Sequence, residues 1–164
     1  MLFAVIILES CFATTILAQN SASVKGTAIY VVPITIAKAT DLNFGNIQIG
    51  STAGTVVLTP AGVRTKSGGV SLLSPTGTIQ VASFTVSGSP SSTYTISLPS
   101  SYTISSGAKN MTVNAFTSSP SGSGVLSTSG SQTINVGATL NVGASQTPGT
   151  YTNATGFNLT VNYN

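Results

Sequence analysis

The stretch 148–164 alternates between apolar and polar side chains more regularly than any other part of this chain. Its apolar members are separated by Asn or Thr: Phe157, Leu159, Val161 and Tyr163. A period of two is typical of a β-strand with one face buried and the other in water. A Pro-Gly turn at Pro148 and Gly149 leads into the run. We therefore expect the chain to end on a strand that is tied into a sheet.

The rest of the sequence has the composition of a β-protein. Hydrophobic residues make up 41% of the chain and charged residues only 4%, so Ser, Thr, Asn and Gly supply the polar positions. This balance is the opposite of that in disordered chains, and no stretch sustains an apolar period of 3.6 residues. A chain of 164 residues suits one domain. We predict an all-β, immunoglobulin-like β-sandwich, with a closed barrel as the alternative.

Between the two ends, short alternating segments are separated by turns rich in Gly, Ser and Pro, as in sandwiches. The predicted strands are 55–59, 70–73, 78–87, 93–98, 110–117 and 131–142. The apolar phase slips inside 78–87, which predicts a bulge near Ala82 and Ser83. The segment 131–142 is long enough to span a sheet or to bend between two sheets at Gly137.

The front of the chain contains two further strand patterns. In the first, apolar residues alternate through a proline: Tyr30, Val32, Ile34 and Ile36. Pro33 cannot donate a ladder hydrogen bond, which favours an edge strand or a switch between sheets. The second pattern is 42–49, where Gly45 predicts a bulge or a close backbone approach. Asp41 lies between the two, and we expect it to cap backbone N–H groups in a turn.

Residues 1–18 form an apolar run before a polar break, as in a secretory signal peptide cleaved after Ala18. Glu9 and the lack of a basic residue ahead of the run depart from that pattern, and a retained membrane anchor is the alternative. The only cysteine, Cys11, lies in this run, so the mature chain would have no disulfide. We expect a signal peptide at 1–18, an N-terminal strand at 19–37 and a β-sandwich domain at 38–164.

Few residues could carry chemistry. The chain has no His, and its only acids are Glu9 and Asp41. It therefore lacks the paired carboxylates of glycosidases, a base to activate a serine, and ligands enough for a metal. Its five cationic residues are scattered rather than clustered as in a nucleic-acid interface. We predict no enzymatic activity, no cofactor, no metal and no nucleic-acid partner.

Two motifs carry a resemblance to known families. The front reads D-L-N-F-G-N-I over 41–47, including Phe44 and Gly45, and the back reads G-T-Y-T followed by F-N-L-T-V-N-Y, including Gly149 and Tyr151. This order resembles a family of uncharacterised secreted bacterial β-sandwich domains and the archaic chaperone–usher pilins, the spore-coat-U-like group. Asn153 stands where an acidic residue is common in the pilins, and the disulfide of many members is missing.

The pilin resemblance implies a sandwich that lacks one strand, which the N-terminal segment of a neighbouring copy supplies by β-augmentation. It implies that Tyr30, Val32, Ile34 and Ile36 are the donor residues and that the C-terminal strand borders the groove. The implied partners are other copies of the chain in a fimbrial filament at the cell surface, a periplasmic chaperone and an outer-membrane usher. The alternative is a self-complete secreted or surface module for binding or adhesion.

Overall fold

The computed structural model describes residues 20–164. The predicted signal peptide and Cys11 lie outside the described residues. The chain divides into two units after Tyr30. In the first unit, residues 20–30 are exposed and contain no strand. The second unit, Val31–Asn164, contains all the strands described below. In the described part of the chain no helix has the length and apolar character needed to span a membrane.

Twelve β-strands and no helix make up residues 31–164. The strands are β1 Thr35–Thr40, β2 Asn43–Phe44, β3 Ile47–Leu58, β4 Arg64–Leu72, β5 Ile79–Gln80, β6 Ala82–Ser87, β7 Thr93–Ser97, β8 Ser101–Ser106, β9 Lys109–Ser119, β10 Ser123–Val125, β11 Ser131–Val142 and β12 Thr160–Tyr163. A seven-stranded antiparallel sheet has the order β1-β6-β11-β3-β4, with β9 also paired to β11 and β8 to β9. A three-stranded sheet has the order β10-β7-β12, and β2 pairs with β5. The prediction of an all-β sandwich is confirmed.

Strand β11 is the centre of the large sheet, and its bounds are those predicted from the sequence. Residues 131–136 pair with β6, residues 138–142 pair with β3, and β9 pairs along the opposite edge. Gly137 lies where the partner changes from β6 to β3. All of β11 stays in one sheet, so the alternative in which it spans a sheet is confirmed, and the bend between two sheets at Gly137 is not observed. A Cβ at Gly137 would collide with the carbonyl oxygen of Leu58, so the absence of a side chain lets β3 approach this closely.

Two clusters of buried side chains form the core. Core 1 lies inside the curl of the large sheet and includes Val56, Leu58, Val70, Met111, Val113 and Leu140. Core 2 lies between β6, the first half of β11 and the three-stranded sheet, and includes Val86, Tyr94, Ile134, Val136, Leu159 and Val161. Leu42 and Phe116 pack against both clusters, so they join the two halves of the interior.

Most predicted strands exist, but several bounds differ. The predicted segments 42–49 and 55–59 become largely one strand, β3, preceded by the short β2. The predicted strand 78–87 is divided into β5 and β6, with Val81 between them, one residue before the position predicted for a bulge at Ala82 and Ser83. Strands β8 and β10 were not predicted, because each offers too few alternating apolar residues to stand out from its Ser-rich surroundings.

Candidate functional site

The first and last strands lie side by side without a ladder of hydrogen bonds between them. Within the described chain β1 pairs only with β6, and β12 pairs only with β7. Each strand therefore keeps one edge whose backbone N–H and C=O groups have no strand partner. We call the boundary between β1 and β12 the seam. An unpaired strand edge is a template for pairing with another chain.

Tyr163 closes one end of the seam. Its phenolic oxygen donates to the carbonyl oxygen of Val32 at 2.7 Å and accepts from the backbone N–H of Ser89 at 2.6 Å. The hydroxyl oxygen of Ser89 also accepts from the N–H of Val32 at 2.8 Å. The end of β12 is thus fastened both to the residues ahead of β1 and to the turn that follows β6.

The other end of the seam leads to a cavity of about 770 Å³. Lys38 and Thr40 at the end of β1 line its rim, and the segments 42–49 and 148–157 line its sides. The apolar side chains that line it include Leu42, Phe44, Ile104, Met111, Tyr151 and Phe157. We call this space the apolar cavity.

Phe157 is the centre of an aromatic cluster beside the apolar cavity. Its ring centroid lies 4.8 Å from that of Phe116, 5.6 Å from that of Tyr102 and 6.1 Å from that of Phe84. These separations are in the favourable range for tilted and edge-on ring pairs. Burial raises the pKa of the Tyr102 phenol above its ordinary value, and the nearby Asp41 carboxylate raises it further.

The front motif forms a fixed turn at the wall of the cavity. Gly45 has a φ of +72°, and a Cβ there would lie 2.5 Å from the carbonyl oxygen of Thr76. The predicted close approach at Gly45 is confirmed. Arg64 Nη1 holds the turn by donating to the carbonyl oxygen of Phe44 at 2.6 Å and to that of Asn46 at 3.2 Å. Phe44 itself is buried in core 1.

The cap expected from Asp41 is made by Asn43. The Oδ1 atom of Asn43 accepts from the N–H of Gly45 at 2.9 Å. Asp41 forms an exposed ion pair with Lys38 instead, with 2.6 Å between Oδ1 and Nζ. Because a lysine three residues earlier lies within reach of the carboxylate, the ion pair replaces the backbone as its partner. Exposed pairs of this kind contribute little stability.

The back motif fastens the segment 148–157 along β8. The backbone groups of Thr152 and Ser105 exchange two hydrogen bonds of 2.8 and 3.0 Å. Asn153 Nδ2 donates to the carbonyl oxygen of Thr103 at 2.6 Å, while its Oδ1 accepts from the N–H groups of Thr155 and Gly156. The Tyr151 hydroxyl donates to the carbonyl oxygen of Thr147. A Cβ at Gly149 would lie 2.7 Å from the hydroxyl oxygen of Ser106, so a side chain there would crowd β8. These contacts shape the side of the apolar cavity.

The structure divides the predicted donor residues into two pairs. Ile34 and Ile36 are partly buried against core 2 of their own chain, and Ile36 lies opposite Val86 in the sheet. Tyr30 and Val32 are exposed, by 85% and 41%. The strand itself begins at Thr35 and crosses the expected boundary at residue 38.

The C-terminal alternation is confirmed in burial, although the ladder is shorter than the pattern. Leu159 and Val161 are buried, Phe157 and Tyr163 are partly buried, and the residues between them are exposed. Hydrogen bonding to β7 begins only at Thr160. The chain ends on a strand, as predicted.

Two residues that hold the site were missed by sequence reasoning. Ser89 follows Gly88 and precedes Pro90 in a sequence typical of a turn, and nothing near it points to Val32 or Tyr163. Arg64 offered a signal, because it is the only arginine in a chain with so few charges. A guanidinium with five donors suits the carbonyl oxygens of an irregular turn.

The fold and the seam define a β-sandwich domain in which the free edges of β1 and β12 lie next to each other, beside the apolar cavity. Residues 34–163 match the family described as Domain of unknown function (DUF4402), and the chain belongs to that family. The matched range includes every strand from β1 to β12. No curated protein matches the chain, and no solved structure matches it.

Proposed function

We propose that this protein is a structural subunit of an extracellular bacterial filament, a pilus or fimbria, assembled by donor-strand complementation. The N-terminal segment of one subunit would add a strand at the seam of the next. The observation that carries the proposal is the pair of adjacent, unpaired edges on β1 and β12. In β-augmentation such backbone groups supply affinity, and pockets for alternate side chains supply specificity.

The apolar cavity supports the same proposal. It continues from the seam, and large apolar side chains line part of its wall beside polar ones such as those of Asn43 and Asn153. The alternate residues of an inserted strand would be buried against the apolar part. Each fully buried side chain of the size of Val or Ile contributes about 1.5–3 kcal/mol before ordering costs. Several such residues, together with ladder hydrogen bonds, are enough to hold neighbouring subunits together.

The residues ahead of β1 supply the donor in this proposal. Large apolar side chains rarely stand exposed in a run, yet Val24, Ile29, Tyr30 and Val31 are each more than half exposed. Ile34 and Ile36 already pack on their own core. We therefore place the donor in 24–32, which keeps Tyr30 and Val32 of the four predicted residues.

The proposal includes an export route and partners. Secretion would follow from the predicted signal peptide, and the filament would lie at the cell surface. During transit a periplasmic chaperone would cover the seam, and an outer-membrane usher would exchange the chaperone for the next subunit. The partner in the finished filament is another copy of this chain.

The test is to place charges in the donor and look for the polymer. We expect the purified full-length chain to form filaments under negative-stain electron microscopy and large species in light scattering. The double variant Val24→Asp, Tyr30→Asp should be monomeric with an unchanged urea midpoint, because a charge cannot be buried unpaired in an apolar groove.

Val63→Asp is the matched control. Val63 is 56% exposed in a turn outside the seam, so a charge there should leave the polymer intact. Equal polymerisation of the wild type and the double variant would contradict the proposal. So would a wild-type chain that stays monomeric at all concentrations.

A second function, a self-complete surface module for binding or adhesion, is favoured by a specific observation. Strand β1 is hydrogen-bonded within its own chain, and Tyr163 fastens its entry. This arrangement suits a domain that needs no donor. The module would be a monomer at high concentration, and it would retain that state in the double variant.

A further inference from the structure

A second, open cleft of about 500 Å³ lies over the end of the large sheet. It is formed where β3, β9 and β11 run side by side, and by the turn after β11. Its polar side chains are hydroxyls and amides from Thr55, Asn110, Thr112, Asn141 and Gln146. None of the residues that line it is charged. We call it the polar cleft.

Three of the five polar side chains of the cleft, those of Thr55, Asn141 and Gln146, are held in place by hydrogen bonds. Asn141 Nδ2 donates to the carbonyl oxygen of Thr112 at 3.2 Å and to Oδ1 of Asn114 at 2.8 Å. Both donor positions of this amide are therefore used, and its Oδ1 is left as an oriented acceptor. The Thr55 hydroxyl lies 2.7 Å from that of Ser67. Side chains fixed before binding lose less conformational entropy when a ligand arrives.

The turn after β11 fixes the third of these side chains, that of Gln146. Ser145 has a φ of +47°, and its N–H donates to the carbonyl oxygen of Gly50 at 3.1 Å. This contact brings Gln146 over the cleft, where Nε2 donates to the carbonyl oxygen of Asn110 at 2.9 Å. The Oε1 atom of Gln146 accepts no hydrogen bond from the described chain. It can accept one from a ligand.

We propose that the polar cleft binds a neutral sugar. A sugar hydroxyl both donates and accepts, and so do the hydroxyl and amide groups that line the cleft. An uncharged lining offers no counter-charge to an anionic or cationic ligand, whose desolvation would therefore be uncompensated. A volume of about 500 Å³ is large enough for one or two hexose units and lies within the ~300–1,000 Å³ of ligand pockets.

This site is independent of filament assembly. The polar cleft shares none of its polar residues with the seam or the apolar cavity. A filament would carry one cleft per subunit, and low affinity at each would be raised by multivalent attachment to a glycan surface. A monomeric module would have the same cleft.

Ligand-observed saturation-transfer NMR tests the proposal on the full-length protein, because it works on monomers and large assemblies alike. The probes are the methyl glycosides of glucose, galactose and mannose. We expect at least one to bind saturably with a Kd on the order of 1 mM, as the ligand efficiency of a small polar ligand implies. No saturation transfer to any of the three would overturn the proposal.

Two variants locate the site. Gln146→Ala removes the side-chain amide whose Oε1 would accept from the sugar. It should weaken binding of the glycoside by about tenfold, the effect of one lost hydrogen bond to a ligand. Thr133→Ala, an exposed residue on the same strand as Asn141 but outside the cleft, should leave the affinity unchanged. Equal weakening in both variants would overturn the assignment. Tighter binding of glucuronate or glucosamine than of the neutral glycosides would overturn the ligand class.

Discussion

The phenolic oxygen of Tyr163 lies 2.7 Å from the carbonyl oxygen of Val32, a residue 131 positions earlier in the chain. The contact joins the last strand to the residues ahead of the first. Neither strand pairs with the other, so this hydrogen bond and its companion from Ser89 hold the seam closed at one end. Tyr163 therefore holds the residues just ahead of β1 against the end of β12.

Replacing Tyr163 by Phe tests that role. The variant keeps the ring but removes the hydroxyl, so the Ser89 N–H loses its acceptor and the Val32 carbonyl oxygen keeps only the Ser89 hydroxyl, at 3.5 Å. We expect a loss of about 1–2 kcal/mol in the free energy of unfolding, because the bond from Ser89 is partly buried and the bond to Val32 is exposed. Urea denaturation with an unchanged slope measures it. Tyr151→Phe, which loses one exposed hydrogen bond to Thr147, is the control and should cost less. Equal midpoints for Tyr163→Phe and the wild type would disprove the role.

Gly45→Ala should destabilise the front turn strongly. A Cβ there would lie 2.5 Å from the Thr76 carbonyl oxygen and 2.8 Å from Nη1 of Arg64, in a backbone conformation that costs about 1–2 kcal/mol for a residue with a side chain. We expect the free energy of unfolding to fall by more than about 2 kcal/mol in total, because the steric clash adds to the backbone strain.

Gly62→Ala is the matched control for this prediction. Gly62 has a φ of +81°, but no atom lies within 4 Å of a Cβ built there. The Gly62→Ala variant should lose only the free energy of the backbone strain, about 1 kcal/mol. Thermal unfolding followed by circular dichroism compares the two variants. A Gly45→Ala variant no less stable than Gly62→Ala would show that the turn relaxes freely.

How far the sequence could predict this structure depends on how local each contact is. Burial of Leu159 and Val161 follows from the period-two pattern alone, since alternate residues of a strand face opposite sides. The residue at which the hydrogen-bonded ladder begins does not follow from this pattern. Residues 157–159 have the same alternation, yet pairing with β7 starts at Thr160.

The donor residues show the same limit. Tyr30, Val32, Ile34 and Ile36 form one continuous pattern, but only the last two pack on core 2. An alternating pattern predicts that one face of a strand is apolar. It does not predict whether that face packs on its own chain or on another. Segments far apart in the sequence form the apolar cavity and the contact from Tyr163 to Val32. Local periodicity therefore cannot predict either of them.

Stability should fall in alkaline solution because of two phenols, the buried Tyr94 and the partly buried Tyr102. Burial raises the pKa of Tyr94, and burial with the Asp41 carboxylate raises that of Tyr102, above the ordinary value near 10. In the unfolded chain both phenols lose their protons first. The stabilisation is therefore complete below about pH 10 and is lost as the pH rises through the folded-state pKa values.

Urea midpoints measured from about pH 8 to about pH 11 test this expectation. Tyr94→Phe should make the decline shallower, because one of the two phenols can no longer ionise. It should also lower the midpoint at neutral pH, since the Tyr94 hydroxyl donates to Oε1 of Gln132 at 2.6 Å. If the urea midpoint falls as steeply with pH in Tyr94→Phe as in the wild type, the loss of stability comes from groups other than Tyr94.

Asn153→Asp replaces the amide that donates to the Thr103 carbonyl oxygen on β8 with a carboxylate of similar size. A carboxylate can still accept from the N–H groups of Thr155 and Gly156, so the turn after Asn153 should persist. It cannot donate to the Thr103 carbonyl oxygen, 2.6 Å from Nδ2, and two acceptors would face each other there. We expect a loss of about 1 kcal/mol in the free energy of unfolding, the cost of one broken hydrogen bond that is exposed to water.

The pH dependence separates this explanation from simple loss of packing. Protonation of the new carboxyl restores a donor, so the stability difference between Asn153→Asp and the wild type should shrink as the pH falls below about 4, the ordinary pKa of Asp. Asn153→Ala, which loses both the cap and the donor, should show a deficit that does not change with pH. Hydrogen exchange at the N–H of Ser105, which donates to Thr152, reports whether the 148–157 segment loosens from β8. A deficit in Asn153→Asp that stays constant from neutral to acid pH would mean that the bond to Thr103 does not hold this segment in place.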